Sequence, residues 1–263
     1  MTAMRTALIT GGSSGLGWAM AAHLAGDGYV PLLVARQSQR LQEAVAALQR
    51  QGYSAAGYAA SVTAAPQLDE VADRVRSQYG GIDFLILNAG VVHVGLLHEL
   101  TAEQIREDIE TNLLGTALSA RALVPLVPSG GRVLLVASGF GLVGAAGYAA
   151  YCGAKAGIVN LAAALRRELL HRRVGVYVTC PPDIDTPQFR QETGSMPGWM
   201  RANSGRRPPL EAGEAARRIL RRCRGRRLLI TIDAEVAQLL LLKRWLPAAW
   251  AEAVLDRVLP RPA

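Results

Sequence analysis

The chain has 263 residues, half of them hydrophobic, and a formal net charge of +8; that length is ample for one domain with a substantial core. Its apolar stretches break before the roughly 18 residues that suggest a membrane-crossing helix, and Met1 to Thr10 lacks the basic region and cleavage pattern of a secretory signal. Cys152, Cys180 and Cys223 are odd in number and have no metal-ligand spacing, so reduced thiols, no bound metal and a cytoplasmic setting are expected.

In chain order, Met4–Thr10 reads as a buried strand, followed by a Gly-rich turn and an apolar-periodic helix to Gly26. Tyr29–Ala35 is a second strand, Ser38–Gln51 a helix, Tyr53–Ala59 a weaker third strand and Thr63–Tyr79 a helix with Leu68, Val71 and Val75 on one face. Ile82–Leu87 is a fourth strand and Ala102–Leu126 one long helix. Arg132–Ala137, Ala149–His171 and Val174–Thr179 read as strand, helix and strand. The Pro/Gly-rich stretch Pro181–Pro209 is expected to be irregular, with a substrate lid near 183–210. Glu211–Arg222 is helical, Leu228–Ile232 a last short strand, and the segment 234–263 helical. Strands alternating with helices, the strands almost continuously apolar, imply an α/β fold: a doubly wound parallel sheet of Rossmann type in three α/β/α layers, here as a single domain over 1–263.

Gly11-x-x-x-Gly15-x-Gly17 lies between the first strand and the first helix, the context a phosphate-binding turn requires. Glycine lets the backbone approach a pyrophosphate, and the free N–H groups of the helix start face it; Ser13, Ser14 and the Leu16 main chain add to the cradle. The second strand ends at Ala35-Arg36, with Arg40 one turn on and no carboxylate before Glu43. Arginine suits the 2′-phosphate of NADP, where an acid would suit the ribose of NAD. The cofactor expected is NADP(H).

Tyr151 and Lys155 stand four apart on one helix face, and Lys155 is one of two lysines against 27 arginines. An adjacent ammonium is expected to lower the Tyr151 pKa and make the phenol a proton donor to a carbonyl. Tyr148 is a decoy, because Cys152 stands where the lysine would be.

These motifs together resemble the short-chain dehydrogenase/reductase family over most of the chain: the glycine turn, Asn88-Ala89-Gly90 after the fourth strand, Asn112 in a Thr-Asn-Leu-Leu-Gly stretch, Ser138 closing the fifth strand, then Tyr151 and Lys155. The resemblance implies an oxidoreductase in which Tyr151 donates the proton, Ser138 bonds the carbonyl oxygen, Lys155 holds nicotinamide ribose hydroxyls and Asn112 positions a water. It further implies cofactor contacts from Ser61 and Val62, where the family often has an acid, and from Pro181, Ile184 and Thr186, as well as a homo-oligomer. Pro181-Pro182-Asp183-Ile184-Asp185-Thr186-Pro187-Gln188-Phe189 departs from the family's usual Pro-Gly and resembles one branch, the 3-ketodihydrosphingosine reductases. That branch implies a long-chain lipid ketone as substrate.

Val91, Val92, Leu96, Leu97, Phe140, Leu142, Met196, Trp199 and Met200 could line an apolar tunnel or simply pack. Asp183 or Asp185 could face the substrate amine or cap the lid turn. Much of the positive charge lies in 166–173 and 201–227. It suits a solvated helix face or an anionic membrane surface; no nucleic-acid partner is expected, because stacking aromatics and a binding motif are lacking. The apolar-then-basic run Leu239–Pro247, with Trp250 beyond, suits peripheral contact of 234–250 with the inner face of a membrane, or packing on the domain or a partner subunit.

Overall fold

The computed structural model describes residues 4–201, 208–225 and 227–259. Residues 202–207 of the lid expected near 183–210, the end of the C-terminal segment at 260–263, and Arg206, Arg207 and Arg226 of the basic segment lie outside the described residues. The strands, in chain order, are β1 (Arg5–Thr10), β2 (Tyr29–Ala35), β3 (Ala56–Ala59), β4 (Phe84–Leu87), β5 (Arg132–Val136), β6 (Gly175–Thr179), β7 (Ile184–Asp185), β8 (Leu210–Glu211) and β9 (Leu229–Ile230). Seven form one sheet in the order β3-β2-β1-β4-β5-β6-β9, every pairing parallel, and β7 and β8 pair apart from it. Parallel neighbours need crossovers. Helices α1 (Gly15–Gly26), α2 (Ser38–Arg50), α3 (Ala65–Tyr79), α4 (Ala102–Ile109), α5 (Gly115–Leu123), α6 (Ala149–Leu169) and α9 (Ala212–Arg222) supply most of them.

Successive strand residues point to opposite faces, and the core divides accordingly. Leu8, Leu32 and Leu85 join Leu68, Leu123 and Ile158 on one face of the sheet. Ile9, Leu33 and Ile86 join Met20, Leu41 and Ile219 on the other. The strands therefore read as uninterrupted apolar runs because both faces are covered. Chain order reverses between β1 and β4, which opens a crevice at their carboxyl ends.

Several elements differ from the sequence expectation. The strands β3, β4 and β9 are shorter than expected. The expected helix 102–126 is interrupted: α4 passes into a π-helical turn, Glu110–Leu114, then into α5, and ends in a 3₁₀ turn, Val124–Leu126, containing Pro125. The segment after β6 is more ordered than its proline content suggested. It holds β7, α7 (Pro187–Ser195) and α8 (Gly198–Arg201), with Thr186 capping α7 by accepting the Phe189 N–H at 3.1 Å. The C-terminal segment is two helices, α10 (Ala234–Trp245) and α11 (Ala248–Val258), with Pro247 at the break.

Candidate active site

The crevice is a cleft of about 790 Å³. Its floor at one end is the turn between β1 and α1. Gly11 and Gly15 have φ of 66° and 53°, where a side chain would strain the backbone. A Cβ on Gly17 would collide with the Gly11 carbonyl and the Asn88 amide. Asn88 fixes this turn to β4: its side-chain amide donates to Thr10 O and Gly11 O at 3.1 and 3.3 Å, and its main-chain N–H to Thr10 Oγ1 at 2.9 Å. Helix α1 has no acid in its first turn, and Ser14 makes no side-chain capping bond, so the helix start suits an anion.

Gly11, Ser13, Ser14, Gly15, Leu16, Arg36, Arg40, Val62, Asn88, Ala89, Gly90, Pro181, Ile184 and Thr186 all line the cleft. Thr186 lies against Gly15, where an added Cβ would be 3.2 Å from its side chain, so segments remote in sequence close around one point. Ser61 is turned away, bonded to Thr63 Oγ1 at 2.9 Å, and does not line the cleft. Arg36 is exposed and lies 3.6 Å from Glu107, a residue the sequence did not single out.

Ser138, Tyr151 and Lys155 line the same cleft beside this turn. Ser138 ends the loop after β5 and caps a 3₁₀ turn, its hydroxyl accepting the Phe140 N–H at 3.2 Å. Lys155 is 3% exposed, donates to Val136 O at 3.2 Å and lies 5.4 Å from the Tyr151 ring centre. Asn112 does not line the cleft. It sits in the π turn, fully buried, its amide donating to Val91 O and Asp108 O, each at 2.8 Å. Asn112 Oδ1 and Lys155 Nζ nonetheless converge behind Gly90, at 2.6 and 3.3 Å from where a Cβ there would stand.

The expected lowering of the Tyr151 pKa is not what the protein's own groups produce. Burial, then Glu192, hold the phenol above its ordinary value, and the Ser138 hydrogen bond only partly offsets them. Lys155 is instead the group that moves toward neutrality, lowered to about 8 by burial.

At the other end, α7 covers the cleft with Phe189 and Glu192. Tyr148, the decoy, donates its hydroxyl to Glu192 Oε1 at 2.5 Å. Burial chiefly, with Asp183 adding, raises Glu192 to about 7. Asp183 opens on the cleft, yet enough protein surrounds it that its carboxyl is also raised. Asp185 does not line the cleft and pairs with Arg190 at 2.8 and 3.0 Å. Neither aspartate caps α7. Met196 and Met200 pack with Ala145, Tyr148 and Cys152 in a small core, with Trp199 against it, whereas Val92, Val94 and Phe140 also reach the cleft wall.

Residues 5–196 match the family model for short chain dehydrogenases. The chain belongs to that family. A 3-dehydrosphinganine reductase of Arabidopsis thaliana is 34% identical over 199 residues, covering 73% of this chain and 59% of that protein. The 3-oxoacyl-acyl-carrier-protein reductase of Escherichia coli is 31% identical over 188 residues, covering 71% and 76%. Among solved structures, a short chain dehydrogenase from Burkholderia cenocepacia in complex with NADP superposes with a TM-score of 0.77 at 26% identity, covering 87% of this chain and 96% of that one. Like other short chain dehydrogenases, the protein is an oxidoreductase, and among its described residues no helix is long and apolar enough to cross a membrane.

Three titratable residues that line the cleft were not singled out by sequence: Glu107, His93 and Glu192. Glu192 meets Tyr148 across 44 positions, a pairing that no spacing rule reveals.

Proposed function

We propose that the protein reduces the 3-keto group of 3-ketodihydrosphingosine to dihydrosphingosine with NADPH. The observation that carries this reading is the carboxylate of Glu192 beside Tyr151. It is bonded to a phenol, raised to about 7, and close enough to raise Tyr151 as well. No described cation pairs with Glu192 or Asp183. Such a group favours a substrate that carries an ammonium next to its ketone, and the apolar wall of Val92, Val94, Phe140 and Phe189 suits a long chain.

The cradle fits a dinucleotide. The turn would hold the pyrophosphate on Gly11, Ser13, Ser14, Gly15 and Leu16, and Arg36 and Arg40 would take the 2′-phosphate. Lys155 would take the ribose, and Val62, Asn88, Ala89, Gly90, Pro181, Ile184 and Thr186 would flank adenosine and nicotinamide. NADPH supplies a hydride when bound. Ser138 would orient the carbonyl oxygen and Tyr151 would give it a proton, so the new O–H bond forms as the phenol's breaks. The Lys155 ammonium would then stabilise the phenolate.

The C-terminal helices belong to the same reading as a peripheral lipid contact. Trp245 and Trp250 are 75% and 70% exposed, with Arg244 beside them, though Lys243 is engaged by Leu142 O at 2.8 Å. A homo-oligomer is also part of it, with the exposed Ile109 and Leu114 as candidate contacts. NADPH oxidation should be followed with 3-ketodihydrosphingosine, a 3-oxoacyl thioester and a steroid ketone. Turnover of the first, with dihydrosphingosine as product, supports the reading. No turnover of it, with brisk turnover of a neutral ketone, would replace it by that reduction.

A further inference from the structure

Arg36 follows β2, and Glu107 lies on α4, which the chain reaches only after β4. In the sheet, β1 stands between β2 and β4. The Arg36 Nη1–Glu107 Oε1 pair, at 3.6 Å, therefore spans the crevice above the carboxyl end of β1. Both side chains line the cleft, as do Arg40 and the glycine turn. Arg40 has no ion pair among the described residues, so of the two arginines only Arg36 already holds a carboxylate. The two side chains are 58% and 44% exposed, and an ion pair so open to water is weak and readily exchanged. The other carboxylate oxygen has a second partner at hand: Glu107 Oε2 lies 3.5 Å from His93 Nε2. His93 is itself held, its main-chain N–H donating to Asp108 Oδ1 at 3.1 Å and its Nδ1 facing the same oxygen at 3.0 Å. Glu107 thus stands between an anchored imidazole and the first arginine of the cofactor end.

We infer that Glu107 competes with the 2′-phosphate of NADPH for Arg36, and that it yields to the phosphate by turning to His93. The inference rests on Arg36 being a 2′-phosphate ligand. A carboxylate on Arg36 occupies the donors that the phosphate needs and repels the incoming anion. NADH carries a ribose hydroxyl at that place instead. A hydroxyl can donate to a carboxylate, so NADH has no cause to displace Glu107. Arg36 and Arg40 create a preference for NADPH, and Glu107 narrows it. Glu107 is thus a specificity-determining residue for the cofactor, acting through Arg36 and remote from Tyr151.

The test is cofactor affinity, read from nicotinamide fluorescence on the full chain with no ketone added. Glu107→Gln keeps the side chain's shape and removes its charge. NADPH affinity should rise about two- to fivefold, the scale of an exposed ion pair, while NADH affinity stays within about twofold. Arg36→Ala and the double variant Arg36→Ala/Glu107→Gln complete a cycle that isolates the coupling of the two residues. With no guanidinium to compete for, Glu107→Gln should bring no further gain. NADPH affinity unchanged or lowered by Glu107→Gln would overturn the competition, and so would a gain of equal size in the Arg36→Ala background. An Arg36→Ala protein that binds NADPH as the parent does would instead remove the 2′-phosphate assignment, and the inference with it.

Discussion

At the cofactor end of the cleft the wall is main chain. Gly11, Gly15 and Gly17 remove side chains where a ligand or Asn88 must come close, and Asn88 ties β4 to β1. At the substrate end the wall is side chain, and its elements are far apart in sequence: Tyr151 on α6, Asp183 after β6, and Glu192 on α7, bonded to Tyr148 just ahead of α6. The first end recognises a ligand common to many chemistries through backbone N–H groups and helix electrostatics. The second carries the carboxyls of Asp183 and Glu192, which under the proposed reading would select by charge. The difference shows how one fold keeps its cofactor and changes its substrate.

The largest expected effect breaks the junction between the ends. Tyr151→Phe should lower kcat by about 10²-fold or more, the range for losing a general acid, while NADPH affinity measured by fluorescence stays. Unchanged turnover would remove Tyr151 from its role. Next comes the cofactor end alone. Arg36→Ala removes charge-assisted bonds of about 1.5–3 kcal/mol, so NADPH affinity should fall roughly tenfold or more and NADH affinity little; equal losses would undo the preference for the 2′-phosphate. Gly17→Ala should cost about 1–3 kcal/mol by overpacking, read by denaturant unfolding, because its new methyl meets main chain that cannot yield.

The smallest effect concerns pH. Glu192 is raised to about 7 in the folded protein. Between the ordinary glutamate value and about 7 the folded chain holds a proton that the unfolded chain has released. Stability therefore falls as pH rises through that window and levels off above it. Glu192→Gln should flatten that slope in unfolding experiments, and a slope unchanged by the substitution would place the titration elsewhere.

The two ends also differ in how legible they were. The sheet, the glycine turn, Arg36 and the Tyr151–Lys155 pair were read from local pattern, because strand periodicity and helix spacing are properties of short stretches, whereas Ser138 came from the family resemblance. The π turn at Glu110–Leu114 was not legible, since its residues are ordinary helix formers. It is what sets Asn112 beside Gly90. The direction of the Tyr151 shift was misjudged because spacing reveals a neighbouring lysine but not burial or a carboxylate brought in by α7. Ser61 was assigned from its strand-end position, whereas its hydroxyl is taken up by Thr63. The segment after residue 196 lies beyond the family match; Glu211–Arg222 and the stretch from 234 onward were read as helical, but the break at Pro247 was not.

The most direct test of the charge-selecting substrate end is kcat/KM, at pH above about 7, for 3-ketodihydrosphingosine and for the same long-chain ketone lacking its amine. Both are measured on the parent and on Glu192→Gln. The parent should favour the amine by roughly tenfold or more, as expected for a charge-assisted contact, and Glu192→Gln should lose most of that preference. Equal kcat/KM for the two ketones in the parent, unchanged by the substitution, would contradict the account.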